Sequence, residues 1–297
     1  MSGRAWWRVA GAAVFAVTIV VAGAMVGNRL GSESGPAAPA GSPPAVTPNS
    51  EKSADSDAVV ALRADFDRLQ TTLNAAAGIA VSAVGSGQDP MTLGDWDTGV
   101  AWSTIKVPLV IAALRQDHPP TVNAAMRAAI TESDNAAAES VWASLGDPES
   151  AAHKVDAVLR QTGDPTTVQS QRVRPEFTAF GQTDWSLTNQ ARFVSAAVCD
   201  QANAPVFDLM GHIATDQSWG IGTIGGSEFK GGWGPSPAGS YLVRQIGVVT
   251  TTRGRIAVAL AAAPVSGKVD DGTAALTTMA RWLTEHLAKL PAGQCKS

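Results

Sequence analysis

The chain has 297 residues, enough for one large domain or two small ones, and a hydrophobic fraction of 45% can supply a full core. Its formal charge is −4, but Arg4, Arg8 and Arg29 fall within a first thirty residues that hold no acid, so the remainder carries −7, from 19 basic against 26 acidic residues. That balance argues against nucleic acid and against an anionic lipid surface as partners.

Val9 to Val26 is an uninterrupted run of apolar and small residues behind Arg4, Arg8 and the pair Trp6 and Trp7. It is long enough to cross a bilayer, and the arginines place the amino end in the cytoplasm and everything after Arg29 outside. Ala22-Gly23-Ala24 also fits a small-residue cleavage site, so residues 1–30 read as a signal anchor or a signal peptide. The expected location is the cell membrane with the folded part extracytoplasmic, or secretion after cleavage. Residues 31–52, rich in Pro, Gly, Ser and Ala, cannot repay the entropy of ordering and read as a disordered stalk. That leaves 53–297 as the folded domain. In an exported protein the only two cysteines, Cys199 and Cys295, are candidates for a disulfide, the alternative being two separate thiols.

Asp55 to Leu73 carries Val59, Leu62, Phe66, Leu69 and Leu73 at spacings of three and four behind the N-cap candidates Ser53 and Asp55, which predicts a helix. A strand is predicted over Ile79 to Val84, closed by Gly85-Ser86-Gly87, and a second near Met91 to Trp96. Val107 to Cys199 is mostly helical in pattern, with breaks at Pro119-Pro120, at Gly146-Asp147-Pro148 and through Gly163 to Gly181. Strands return at Glu228 to Trp233, Tyr241 to Val249 and Ile256 to Ala262, an antiparallel meander. Asp270 and Asp271 open a closing helix striped by Leu276, Met279, Leu283, Leu287 and Leu290, with Lys289 in its last turn.

The pattern predicts an α/β (α+β) fold: an antiparallel sheet built from both chain ends, flanked by terminal helices, with an inserted all-α lobe. Residues 53–102 and 201–297 would form the sheet lobe and 103–200 the helical lobe, with a cleft between them.

Three segments carry chemistry. Ser103-Thr104-Ile105-Lys106 puts a hydroxyl and an amine three residues apart, on one face of a helix. A serine is a poor nucleophile until a base takes its proton, and Lys106 serves only if burial or a nearby cation such as Lys230 disfavours its charge. Pro108 is tolerable only near a helix start, so the helix should begin around Ser103. The second segment, Ser133-Asp134-Asn135, could equally be an N-cap. The third, Lys230-Gly231-Gly232 followed by Trp233, supplies a second amine on a predicted strand. Gly220 to Gly225 satisfies GxGxxG, but no helix pattern follows, so it reads as a flexible approach to the Lys230 strand rather than a dinucleotide site. His118, His153, His212 and His286 lack metal-ligand spacing; neither a metal nor another cofactor is expected.

In that order, and with Ala128 to Ala138 around the second segment, these residues resemble the SxxK, SDN and KTG elements of class A β-lactamases and related penicillin-recognising serine hydrolases. The resemblance spans roughly Asp55 to Leu290. It implies Ser103 as nucleophile, Lys106 as base, Ser133 as proton relay, Asn135 as a substrate and lysine contact, and Lys230 as the carboxylate anchor. Gly232 completes the triplet, and the Trp233 and Ser103 N–H groups would form the oxyanion hole. It implies a β-lactam or a peptidoglycan-like peptide ending in D-Ala-D-Ala as ligand, and a monomer is expected.

There are departures. Gly231 replaces the family's threonine, and the stretch between the first two motifs is about half its usual length, implying an open cleft. Val173-Arg174-Pro175-Glu176-Phe177 resembles the omega loop with Arg174 where the deacylating glutamate belongs, so β-lactam turnover should be weak. Glu176, Gln169, Gln171 and Gln182 are the remaining candidates for holding a water. The rival reading is a membrane-tethered penicillin- or peptidoglycan-binding domain without turnover.

Overall fold

The computed structural model describes residues 49–296. The anchor or signal segment 1–30 and the stalk as far as residue 48 lie outside them. Among the described residues no helix is long and apolar enough to cross a membrane.

Helix α1 (Asn49–Gln70) starts upstream of Ser53 and Asp55, so neither opens it, and residues 49–52, expected in the stalk, are helical. The sheet follows the alternating runs. β1 (Ala75–Ala83) and β2 (Met91–Gly94) come from the amino-terminal part, and β5 (Glu228–Pro235), β6 (Tyr241–Thr251) and β7 (Gly254–Pro264) from the carboxy-terminal part. Their order is β2-β1-β7-β6-β5, every neighbouring pair antiparallel. β1, β6 and β7 bury long consecutive runs, as strands covered on both faces do. The cover comes from α6 (Leu187–Ala197), and from α1 and α8 (Val269–His286), which meet through Phe66 packed edge-on against Trp282. This is the mixed architecture expected from the sequence.

The remaining helices surround α2 (Lys106–Leu114), every residue of which is buried. α3 (Ala124–Thr131) is capped by Asn123, α4 (Asn135–Ser144) by Asp134, and α5 (Pro148–Gln161) by Asp147 with Pro148 in its first turn. Three features depart from expectation. Two three-residue strands, β3 (Thr98–Val100) and β4 (Asp184–Ser186), pair with each other. α6, expected in the helical lobe, packs on β1 and β7, whereas α7 (Ala204–Met210), a helix within the stretch expected to form the sheet lobe, packs on α3 and β5. α8 ends at His286, leaving Lys289 in a following turn.

Cys199 and Cys295 are bridged, with Cα atoms 5.2 Å apart, tying the chain's end to the end of α6 across 96 positions. In the loop-entropy picture a closure of that length stabilises by about 5 kcal/mol.

Candidate active site

Ser103 lies not in an α-helix but in the 3-10 turn Trp102–Ile105, and α2 starts at Lys106. Pro108 therefore falls in the first turn of α2, where its missing N–H costs nothing. Trp102, just before the nucleophile candidate, has φ 49°, a left-handed backbone unusual for a bulky residue. β5, the edge strand, runs past this turn. A Cβ on Gly232 would lie 2.8 Å from Ser103 N, 2.9 Å from Thr104 N and 3.0 Å from Ala101 O, so only glycine allows this backbone contact. Arg174 Nη1 donates to Pro235 O and Lys230 Nζ to Gly231 O, which places the polar groups of those two residues on the free side of β5. Strand alternation then turns the Trp233 N–H the same way.

Ser133 joins the two lysines. It sits between α3 and α4 with φ 59°, a conformation that ends helices but is usually left to glycine. Asp134 N–H donates back to Ala128 O, and the Asp134 carboxylate caps α4. The cap reading and the catalytic reading of this segment are thus both available, on different residues. In that pose Ser133 presents two groups: its carbonyl accepts from Lys106 Nζ at 2.5 Å and its hydroxyl accepts from Lys230 Nζ at 2.8 Å. Asn135 Oδ1 accepts from Lys106 Nζ at 2.8 Å.

Both amines are buried, at 1% and 0% exposure, and each hydrogen-bonds to neutral oxygens. Burial pulls Lys106 down to about 7, against an opposing pull from the exposed Asp134 carboxylate. Burial likewise pushes Lys230 well below the ordinary lysine range, and the charge of Lys106 pushes it further. The site thus holds two buried amines, one poised near neutrality and the other held well below the ordinary lysine range.

Gly231 is explained by a residue the sequence did not single out. The Trp219 ring lies 3.0 Å from where a Cβ at 231 would stand, and it meets Trp233 edge-on at 6.0 Å. Gln245 holds the segment around it, accepting from Ile221 N and donating to Trp219 O. With Gly220 N donating to Thr277 Oγ1, the stretch expected to be a flexible approach is a docked 3-10 turn.

In the omega-like loop Arg174 is fully engaged. Besides Pro235 O, it reaches Glu176 and lies 4.3 Å over the Phe177 ring. Glu176 is exposed and turned to that arginine. Gln182 is committed to the loop backbone, accepting from Arg174 N and donating to Arg174 O, Phe177 O and Thr178 O, so it is not a free water ligand. Gln169 accepts from Gln171 N, and Gln171 is exposed. Next to this loop a cavity of about 530 Å³ is lined by Trp96, Trp102, Gln169, Arg174, Pro235 and Tyr241, among others. Its lining includes neither Ser103 nor the two lysines, so it adjoins the polar cluster rather than containing it.

No family model and no curated protein matches the chain. Solved structures do. The chromosome-encoded β-lactamase of Vibrio parahaemolyticus superposes with TM-score 0.59 at 12% identity, over 76% of this chain and 98% of that one. The reconstructed class A β-lactamase of the last common ancestor of Gram-negative bacteria gives 0.60 at 19%, over 76% and 99%. A single-site mutant of that ancestral enzyme gives 0.60 at 18%, over 76% and 98%. At such identity the likeness speaks for architecture alone, and the architecture is β-lactamase-like.

Proposed function

We propose that this chain is a serine hydrolase acylated on Ser103 by β-lactams or by peptides ending in D-Ala-D-Ala, and that it releases the acyl group slowly. The observation that carries the reading is Ser133, whose carbonyl and hydroxyl receive two buried amines from different parts of the chain. Neutral Lys106 takes the proton of Ser103 as Oγ attacks the ligand carbonyl, and the Ser103 and Trp233 N–H groups receive the oxyanion. Each such donor is worth about 10²–10³ in rate. The C–N bond then breaks as Ser133 passes its proton to the leaving nitrogen and takes in turn the one that Lys106 removed from Ser103, so that Lys106 is neutral again and an ester on Ser103 remains. The ligand carboxylate, arriving beside Lys230, favours the protonated amine and is held by it. Freeing the ester needs a positioned water, and the loop residue that would hold it is Arg174, which is spent on Pro235 O, Glu176 and Phe177. An extracytoplasmic position, by anchor or export, is part of the proposal and is supported by the Cys199–Cys295 bridge.

Purified full-length protein mixed with a fluorescent penicillin and followed by intact mass should gain one acyl adduct that outlasts the free drug. Rapid drug loss with no lasting adduct would contradict the slow-release reading. Gly231 and Arg174 also favour a tethered binding domain without turnover, and an adduct that never decays over days would favour that alternative.

A further inference from the structure

Arg244 is the second-largest fully buried side chain among the described residues, and no acidic side chain there is among its hydrogen-bond partners. Burying a cation without a counter-ion is expensive, and burial lowers this guanidinium to about 9 despite Asp97 and Asp184 nearby. Its four hydrogen bonds have a common destination. Nη1 donates to Gly99 O at 2.8 Å and Val100 O at 3.0 Å, the last residues of β3 before the nucleophile turn. Nη2 donates to Trp185 O at 2.8 Å, on the strand paired with β3, and to Gln190 Oε1 at 2.6 Å. Gln190, also wholly buried, donates through Nε2 to Thr104 Oγ1 at 2.9 Å, and Thr104 Oγ1 donates to Ala101 O at 2.6 Å. Thr104 is the residue after Ser103, and Ala101 N donates to Thr183 O at 2.7 Å. The chain of contacts therefore grips the turn from both ends, around the strained Trp102.

We infer that Arg244, Gln190 and Thr104 are positioning residues that hold the Ser103 turn against β5, so that the Ser103 N–H and Oγ keep the geometry acylation requires. Gly232 leaves no slack between β5 and this turn. A displacement of a few tenths of an ångström would alter the oxyanion site while leaving Lys230 and Ser133, which sit on other elements, in place. This assignment rests on the serine-acylation reading.

The test is a split between binding and reaction. Single-turnover labelling of the full-length protein by a fluorescent penicillin across drug concentrations yields a dissociation constant and a maximal acylation rate. Thr104→Val removes the hydroxyl at near-constant volume, Gln190→Met removes the amide, and Thr104→Ser restores the hydroxyl. The Val and Met variants should lose roughly tenfold or more in maximal rate, with the dissociation constant within about threefold, while Thr104→Ser recovers most of the rate. Folded Val and Met variants, matched to wild type by circular dichroism, that label at the wild-type rate would overturn the assignment alone. If wild type is labelled neither by penicillin nor by a fluorophosphonate, the serine reading falls and takes this one with it.

Discussion

At Lys106 and Lys230 the chemistry is set by burial more than by their mutual repulsion. The sequence pointed to burial and to Lys230 as the causes that would depress Lys106, and burial is the largest cause for both amines. A base near 7 is protonated below that pH, so the acylation rate should rise about tenfold per pH unit up to about 7 and level off above it. Stopped-flow labelling across pH 5.5–9 with a ligand that does not itself titrate in that range checks this; a flat profile would mean that Lys106 is not the base. At position 231 the missing hydroxyl is a packing consequence. Gly231→Thr would press a Cβ to 3.0 Å from the Trp219 ring, so it should cost about 1–3 kcal/mol in urea unfolding and not tighten binding. Combining it with Trp219→Ala should relieve most of that cost.

Among the elements, the long runs and the motif-bearing turns were legible, and the short connectors were not. β5, β6 and β7 announce themselves by alternation, but β3 and β4 are three residues each, too few for a period to register. Periodicity also reports that a face is buried, not against what, which is why α6 was expected among the helices yet packs on the sheet. The polar network has no sequence signature at all: Arg244, Gln190 and Thr104 are brought together across 54 and 86 positions by the fold alone. The omega-like loop is held internally by Gln182. Gln182→Leu should therefore destabilise by about 1–3 kcal/mol and speed amide exchange over residues 171–178, which hydrogen-exchange mass spectrometry would detect. Unchanged exchange there would show that Arg174, through Pro235, suffices to hold the loop.

For the molecule as a whole, the sheet draws strands from both ends of the chain and brings β5 alongside the Ser103 turn and the α3–α4 junction, so residues 97 positions apart meet at Ser133. The motif order in the sequence identified these parts; the convergence of two amines on one serine is a property of the fold. The Cys199–Cys295 bridge closes the last residues onto α6. Whether this assembly is a reaction centre can be decided by mapping the adduct. Full-length protein and its Ser103→Ala variant would be incubated with penicillin, digested and analysed by tandem mass spectrometry. The acyl mass is expected on the Ser103 hydroxyl in wild type and nowhere in the variant. An adduct that persists in Ser103→Ala, or that maps to another residue in wild type, would contradict the reading of this site.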